Sequence, residues 1–214
     1  MVKIFAVHSS HCILKNGVPN RDFIVKVNLN SLPKCKYSEN CLAENRFLYY
    51  LATRHELINE EYIGILSGRY KYKYPKSCMM QHLHLLSYKR DEILVPCPTE
   101  DWYSHSERSH PGVRHLVDEL CERNMFKKEG SSFYSNNFIC HRDVMIDFLR
   151  WWLENFEYFY GKYDNKFSFG STYELYQKNL HPSYFYERLT VAYFANSGLK
   201  VRQIPSADRH TKLL

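Results

Sequence analysis

Apolar residues along this chain fall alternately into short unbroken runs and into longer stretches where they recur every third or fourth position, a pattern of strands and helices by turns. Val2-Lys3-Ile4-Phe5-Ala6-Val7-His8 reads as a strand running into the polar loop Ser9-Ser10-His11, and Phe23-Ile24-Val25-Lys26-Val27 as a second. From about Leu42 to Ile58, Phe47, Leu48, Leu51 and Ile58 recur at helical spacing, with Asn40 as a cap. Tyr62 to Leu66 is then a buried strand that stops at the polar turn Ser67-Gly68-Arg69. Glu92-Ile93-Leu94-Val95-Pro96 follows as a strand. Pro98 to His110, rich in histidine and aromatics but without periodicity, reads as a loop long enough to act as a lid. Pro111 opens a helix with Val113, Leu116, Val117 and Leu120 on one face.

In the second half, Asn136-Asn137-Phe138-Ile139-Cys140 reads as a buried strand. The helix from His141 to about Tyr160 carries Val144, Phe148, Trp151, Trp152, Phe156 and Phe159 as core residues. A flexible polar segment from Gly161 to Gly170 precedes a helix that Pro182 starts and Gly198 ends, and Leu199 to Ile204 forms the last strand. The predicted fold class is α/β, a three-layer α/β/α sandwich with a mostly parallel central sheet of about six strands, in a single domain over residues 1–214.

Composition sharpens this reading in a few places. The chain is 44% hydrophobic and 16% aromatic, with 18 tyrosines, which excludes a disordered chain and fits a packed core beside surfaces rich in amphipathic rings. A net charge of +6 is spread along the sequence, as in Lys71-Tyr72-Lys73-Tyr74-Pro75-Lys76 and Lys127-Lys128, and favours an anionic ligand. The seven cysteines contain no C-x-x-C pair and leave one over, unlike a disulfide framework or a zinc ribbon. Reduced thiols, the absence of an apolar run long enough to span a bilayer and a first segment unlike a targeting peptide together point to a cytoplasmic protein.

Candidate chemistry begins at the strand end. In open α/β sheets ligands sit beyond the carboxyl ends of strands, so Ser67, Gly68 and Arg69 occupy a ligand-facing turn with Arg69 as an anion holder. Glu187 lies on a helix in line with Val191 and Phe194, its carboxylate along an apolar strip. Unpartnered, it would have a raised pKa suited to a general base; paired with Arg188 or another cation, it would be structural.

The ordered blocks Glu44-Asn45-Arg46-Phe47-Leu48-Tyr49-Tyr50, Glu61-Tyr62-Ile63-Gly64 with Arg69 beyond, Ser109-His110, Asn136 with Phe138-Ile139, and Tyr184 with Glu187-Arg188-Leu189 resemble the DUF4422 glycosyltransferase-like family across about Ile4 to Pro205. The resemblance implies a GT-A type fold that takes a nucleotide-sugar donor, UDP-linked in this reading, and transfers the sugar to a glycan or glycoprotein acceptor. Enzymes of this kind decorate polysaccharides, capsules or viral capsid glycans, and the chain would be such an enzyme or a domain of a larger one. On this footing His8, Ser9 and Ser10 receive the nucleotide base and ribose, Ser67, Gly68 and Arg69 meet the diphosphate, and Glu44, His110 and Asn136 complete the donor-binding set. Glu187 is the catalytic base, with Asp101 on the expected lid as a second candidate.

GT-A enzymes commonly hold Mn2+ or Mg2+ with an Asp-x-Asp at the end of a central strand, and this chain contains no Asp-x-Asp. Arg69 would replace or supplement the metal, or Asp208 and His210 would supply its ligands after the last strand. The competing reading is a non-catalytic nucleotide- or nucleic-acid-binding module that uses the Lys-Tyr run from Arg69 to Lys76 as a charged stacking strip; the transferase reading expects no nucleic-acid partner.

Overall fold

The computed structural model describes residues 1–8, 18–34, 37, 45–68, 70–77, 80–109, 113–133, 136–163 and 181–205. Strands β1 (Val2–His8), β2 (Ile24–Asn28), β3 (Tyr62–Ser67) and β4 (Glu92–Val95) are followed by β5 (Pro98–Thr99), β6 (Ser132–Phe133), β7 (Phe138–His141) and β8 (Lys200–Gln203). Six of them form one sheet in the order β2-β1-β3-β7-β4-β8, in which β7 alone runs antiparallel to its neighbours. The mostly parallel six-stranded sheet is as expected. The separate two-stranded ribbon of β5 and β6 was not foreseen, because two residues per strand leave no alternation to read.

The helices are α1 (Asn45–Ala52), α2 (Tyr70–Lys73), α3 (Trp102–Ser109), α4 (Arg114–Asn124), α5 (Arg142–Tyr163) and α6 (His181–Asn196). Both faces of the sheet are covered, which is why its inner strands β1, β3, β4 and β7 are largely apolar rather than alternating, while the edge strands β2 and β8 carry exposed polar residues. Phe5, Val7, Ile63, Ile65, Phe138 and Cys140 face the larger core, closed by Phe47 and Leu51 of α1, Phe148, Trp152 and Phe156 of α5, and Leu189 and Phe194 of α6. Ile4, Ala6, Leu66 and Ile139 face the smaller core with Tyr70, Met80 and Leu83, so that side is a thin layer of α2 and the 3-10 segment Met80–Leu85. Trp152 is fully buried and Trp151 donates its indole N–H to Asn124 Oδ1 at 2.8 Å, in keeping with the structural role expected of both.

Several elements differ from expectation for identifiable reasons. The helix expected to reach Ile58 ends at Ala52, where Thr53 Oγ1 donates to the Tyr49 and Tyr50 carbonyls at 3.2 and 3.0 Å; a separate 3-10 turn, His55–Leu57, follows. Its expected cap, Asn40, lies outside the described residues, as does Pro111 ahead of α4. The expected lid loop from Pro98 is instead β5 and α3. Asp101 Oδ1 accepts the Ser104 N–H at 3.0 Å as a helix cap, and the fully buried Trp102 anchors the helix, which packs on α6. Of the segment expected to be flexible, residues 161–163 continue α5 and the rest is not described. Tyr70, the first ring of the Lys-Tyr run, is only 2% exposed and belongs to the smaller core, which removes it from any stacking strip.

Gly64 is the tightest point of the central sheet. It pairs with Ile4 on one side and Ile139 on the other, and a Cβ there would lie 2.5 Å from Ile4 Cδ1 and 2.9 Å from Ile139 Cγ1. Gly64→Ala must displace both isoleucines, so we expect a loss of about 1–3 kcal/mol from overpacking. The check is a lower urea midpoint with an unchanged denaturant slope; an unshifted midpoint would contradict the packing described.

Candidate functional site

Parallel strands bring their carboxyl ends to one edge, and β1, β2 and β3 end there side by side. His8 lies opposite Asn28 of β2, and Val7 lies opposite Ser67 of β3, so the three ends span two strand spacings, about 10 Å. His8 and Asn28 are half-buried and Ser67 is buried. The Gly68 N–H donates to the Val7 carbonyl at 2.6 Å and extends the ladder past β3. Close approach of a ligand at Gly68 therefore relies on its missing side chain, since the N–H is used by the sheet.

Two consecutive asparagines ahead of β7 fasten this rim. The Ser67 N–H donates to Asn137 Oδ1 at 2.5 Å. Asn136 Nδ2 donates to Asn45 Oδ1 at 2.8 Å, and Asn136 Oδ1 accepts from Thr190 Oγ1 at 2.7 Å. Asn45 opens α1, Thr190 lies on α6 and all of these groups are buried, so the knot ties two helices to the mouth of β7. Both ends of the Asn136 amide thus face protein groups.

Helix α6 runs back from this rim to feed β8, which is parallel to β4, and it brings Glu187 and Arg188 one turn nearer the rim than Thr190. Arg188 is fully buried and its Nη2 donates to Glu187 Oε1 at 2.6 Å, while Glu187 keeps 18% of its side chain exposed. A buried guanidinium requires such a carboxylate partner. Of the two states open to Glu187, the paired one is present. Asp101 is exposed and acts as the cap of α3. Ser9, Ser10, Glu44, Arg69, His110, Asp208 and His210 lie outside the described residues.

Among the described residues no three His, Cys, Asp or Glu side chains come together as a metal-holding group. The described part of the rim, with His8, Asn28, Ser67 and Gly68, therefore does not fit a divalent cation by itself. The described cysteines Cys97, Cys121 and Cys140 are free thiols; burial pushes Cys121 up to about 11 and raises Cys140 as well, leaving the exposed Cys97 as the accessible one.

Farther along the same edge, a cleft of about 630 Å3 opens at the carboxyl ends of β4 and β8. Tyr74, Lys76, Cys97, Arg202, Gln203 and Pro205 line it. Arg202 is held by Glu92, Nε to Oε2 at 2.7 Å, and Gln203 Nε2 donates to the Pro96 carbonyl at 3.3 Å, so two of its walls are fixed.

No protein-family model matches this chain, and no curated protein matches it. Among solved structures it is similar to the apo structure of the bifunctional glycosyltransferase WbbM, with a TM-score of 0.60 and 15% identity over 96% of this chain. The match covers 45% of the WbbM chain, so the present chain spans less than half the length of that protein. The fold is a glycosyltransferase-like mixed α/β fold built on a mostly parallel six-stranded sheet. No helix among the described residues is long and apolar enough to cross a membrane.

Asn28, Asn45, Asn137 and Thr190 had been given no role from the sequence. The one local signal was the doublet Asn136-Asn137 immediately before an apolar strand, a place where two amides must find partners or be exposed. Asn136→Ala should cost about 2–4 kcal/mol, since it leaves Asn45 and Thr190 with buried polar atoms to satisfy. Thr190→Val, which removes a single donor, should cost about half as much. Denaturant unfolding of the two variants measures the difference, and equal stabilities to the unmodified chain would show that the knot carries no energy.

Proposed function

We propose that the chain, as one domain over residues 1–214, is a GT-A type glycosyltransferase that moves a sugar from a nucleotide-diphosphate sugar, UDP-linked in our reading, to a hydroxyl of a glycan or glycoprotein. The observation that carries this reading is the rim where β1, β2 and β3 end together beside an open cleft, on a glycosyltransferase-like fold. The ordered DUF4422-like blocks support the same assignment, with capsule or capsid glycans as the setting and the cytoplasm as the place of action.

In this mechanism His8, with Ser9 and Ser10, receives the nucleoside; Ser67, Gly68 and Arg69 meet the diphosphate, and Glu44 and His110 complete the donor site. Asn136 acts through Asn45 and Thr190, fixing where α1 and α6 stand relative to the donor. Glu187 remains the proposed base although its pairing with Arg188 also gives it the structural role, and in this reading it accepts the proton of the acceptor hydroxyl. The freed oxygen forms a bond to the anomeric carbon while that carbon's bond to the diphosphate oxygen breaks. The departing nucleoside diphosphate carries away the bonding electrons, and Arg69 meets its charge. Asp101, already engaged as a cap, is the lesser candidate for the proton transfer. The acceptor lies in the cleft at β4 and β8. Asp208 and His210 would hold Mn2+ or Mg2+ where the enzyme uses one, and the cation would supply further charge neutralisation at the diphosphate; no step above depends on it.

Thermal unfolding in the presence of UDP, GDP and a single-stranded oligonucleotide, each with and without Mn2+, tests the assignment. A nucleoside diphosphate at about a hundred times its Kd should raise Tm by about 5–10 °C. A response to the oligonucleotide alone would reject the transferase reading. With a nucleotide sugar identified by slow hydrolysis, Glu187→Gln should lower turnover about 100- to 10,000-fold while donor affinity stays nearly intact. Arg69→Ala should weaken diphosphate binding about tenfold or more. Unchanged turnover in Glu187→Gln would eliminate that base.

A further inference from the structure

A second cleft, of about 410 Å3, lies on the outer flank of α1. One wall is a single helical stripe, Arg46, Tyr49, Tyr50 and, just past the helix end, Arg54; the other is Leu32 to Lys34, which follow β2 and its 3-10 turn. Arg46 is buried, and its Nη2 donates to the Leu32 and Pro33 carbonyls at 2.8 and 3.1 Å, so the two walls are fixed to each other.

Charge gives this cleft its chemistry. Lys34 and Arg54 are exposed, and among the described residues neither forms an ion pair and no carboxylate lines the cleft. Glu157, on the far side of the Tyr37 ring that packs against Tyr49, is engaged by the Tyr37 hydroxyl at 3.0 Å. The Arg54 guanidinium sits over the Tyr50 ring at 5.6 Å. Arg54 follows Arg46 by eight positions, the last two past the end of α1, with the two tyrosines between them. The exposed positive groups Lys34 and Arg54, with the amphipathic Tyr49 and Tyr50 rings beside them, suit a short rod of sugar rings that carries negative charge. The volume is that of a small-ligand site, too short for the extended backbone track of a nucleic-acid channel.

We infer that this cleft binds a carboxylate-bearing oligosaccharide, an acidic stretch of the acceptor glycan outside the part that reacts. The choice of a saccharide rests on the transferase reading. The cleft flanks the β2 edge of the sheet, five strand spacings or about 24 Å from the β8 edge that borders the first cleft, so a polymeric acceptor would reach both. Binding energy from such a remote anchor holds the acceptor while its reacting hydroxyl meets the donor.

The test is calorimetric titration of the full chain with an oligogalacturonate, a neutral maltooligosaccharide and a single-stranded oligonucleotide, with UDP measured in parallel. The acidic oligosaccharide should bind, weaken with salt, and lose about tenfold or more in affinity in the double variant Lys34→Glu, Arg54→Glu. Both residues are exposed, so Tm and UDP affinity should be unchanged. A control with the same change in net charge elsewhere, Lys127→Glu with Lys200→Glu, should bind like the unmodified chain. Loss of affinity in the control as large as in the cleft variant, no binding of oligogalacturonate, equal binding of the neutral sugar, or preference for the oligonucleotide would each overturn the inference. Retained UDP binding alongside such a result would leave the donor-site reading standing.

Discussion

Everything at the candidate site depends on how the ends of buried strands are closed off without leaving polar groups stranded. The carboxyl end of β3 lies deep in the protein, and the Ser67 N–H there is taken up by the Asn137 side chain. Its neighbour Asn136 does the same for the first turn of α1 and the middle of α6, through Asn45 and Thr190. In a medium where each unpaired polar group costs about 1–3 kcal/mol, these bonds fix the relative position of three elements that carry the functional side chains. The Arg188–Glu187 pair lies on the same helix, two to three residues before Thr190.

The arrangement separates two demands on the sheet. Its interior is made rigid by close packing, with Gly64 allowing Ile4 and Ile139 to meet over the central strand. Its rim stays partly open, with His8 and Asn28 half-buried and a cleft at β4 and β8 walled by residues that are themselves held by Glu92 and Pro96. A preorganised edge near an open cleft suits group transfer from a charged donor, because the charge on the leaving diphosphate must be met without reorganising the protein.

The inner strands β1, β3, β4 and β7 were legible in the sequence because they are largely buried on both faces and read as short apolar runs ending at polar turns, while the edge strands β2 and β8 are partly exposed and gave a weaker pattern. Helix α3 was not, since Trp102 is the buried one among its described side chains and the polar sequence around it imitates a loop; the capping Asp101, three residues before Ser104, was the available clue. The rim was legible as far as Ser67 and Gly68, where a strand stops. The knot behind it was not, because Asn136 meets partners 91 and 54 positions away, separations that no local pattern encodes. Glu187 shows the boundary well: its place on an apolar strip was readable, while the choice between an unpartnered and a paired carboxylate waited on where Arg188 turned. The two clefts each draw on segments from distant parts of the chain and left no single stretch to recognise.

The central claim is that a nucleoside diphosphate binds where β1, β2 and β3 end. Titrating UDP into isotope-labelled protein while following backbone amide resonances tests it most directly. The account predicts that the largest shifts fall on His8, Asn28, Ser67 and Gly68 and spread to Asn137. Shifts confined to the opposite edge of the sheet, around Met1, Glu61 and Arg142, or no shifts at all, would contradict it.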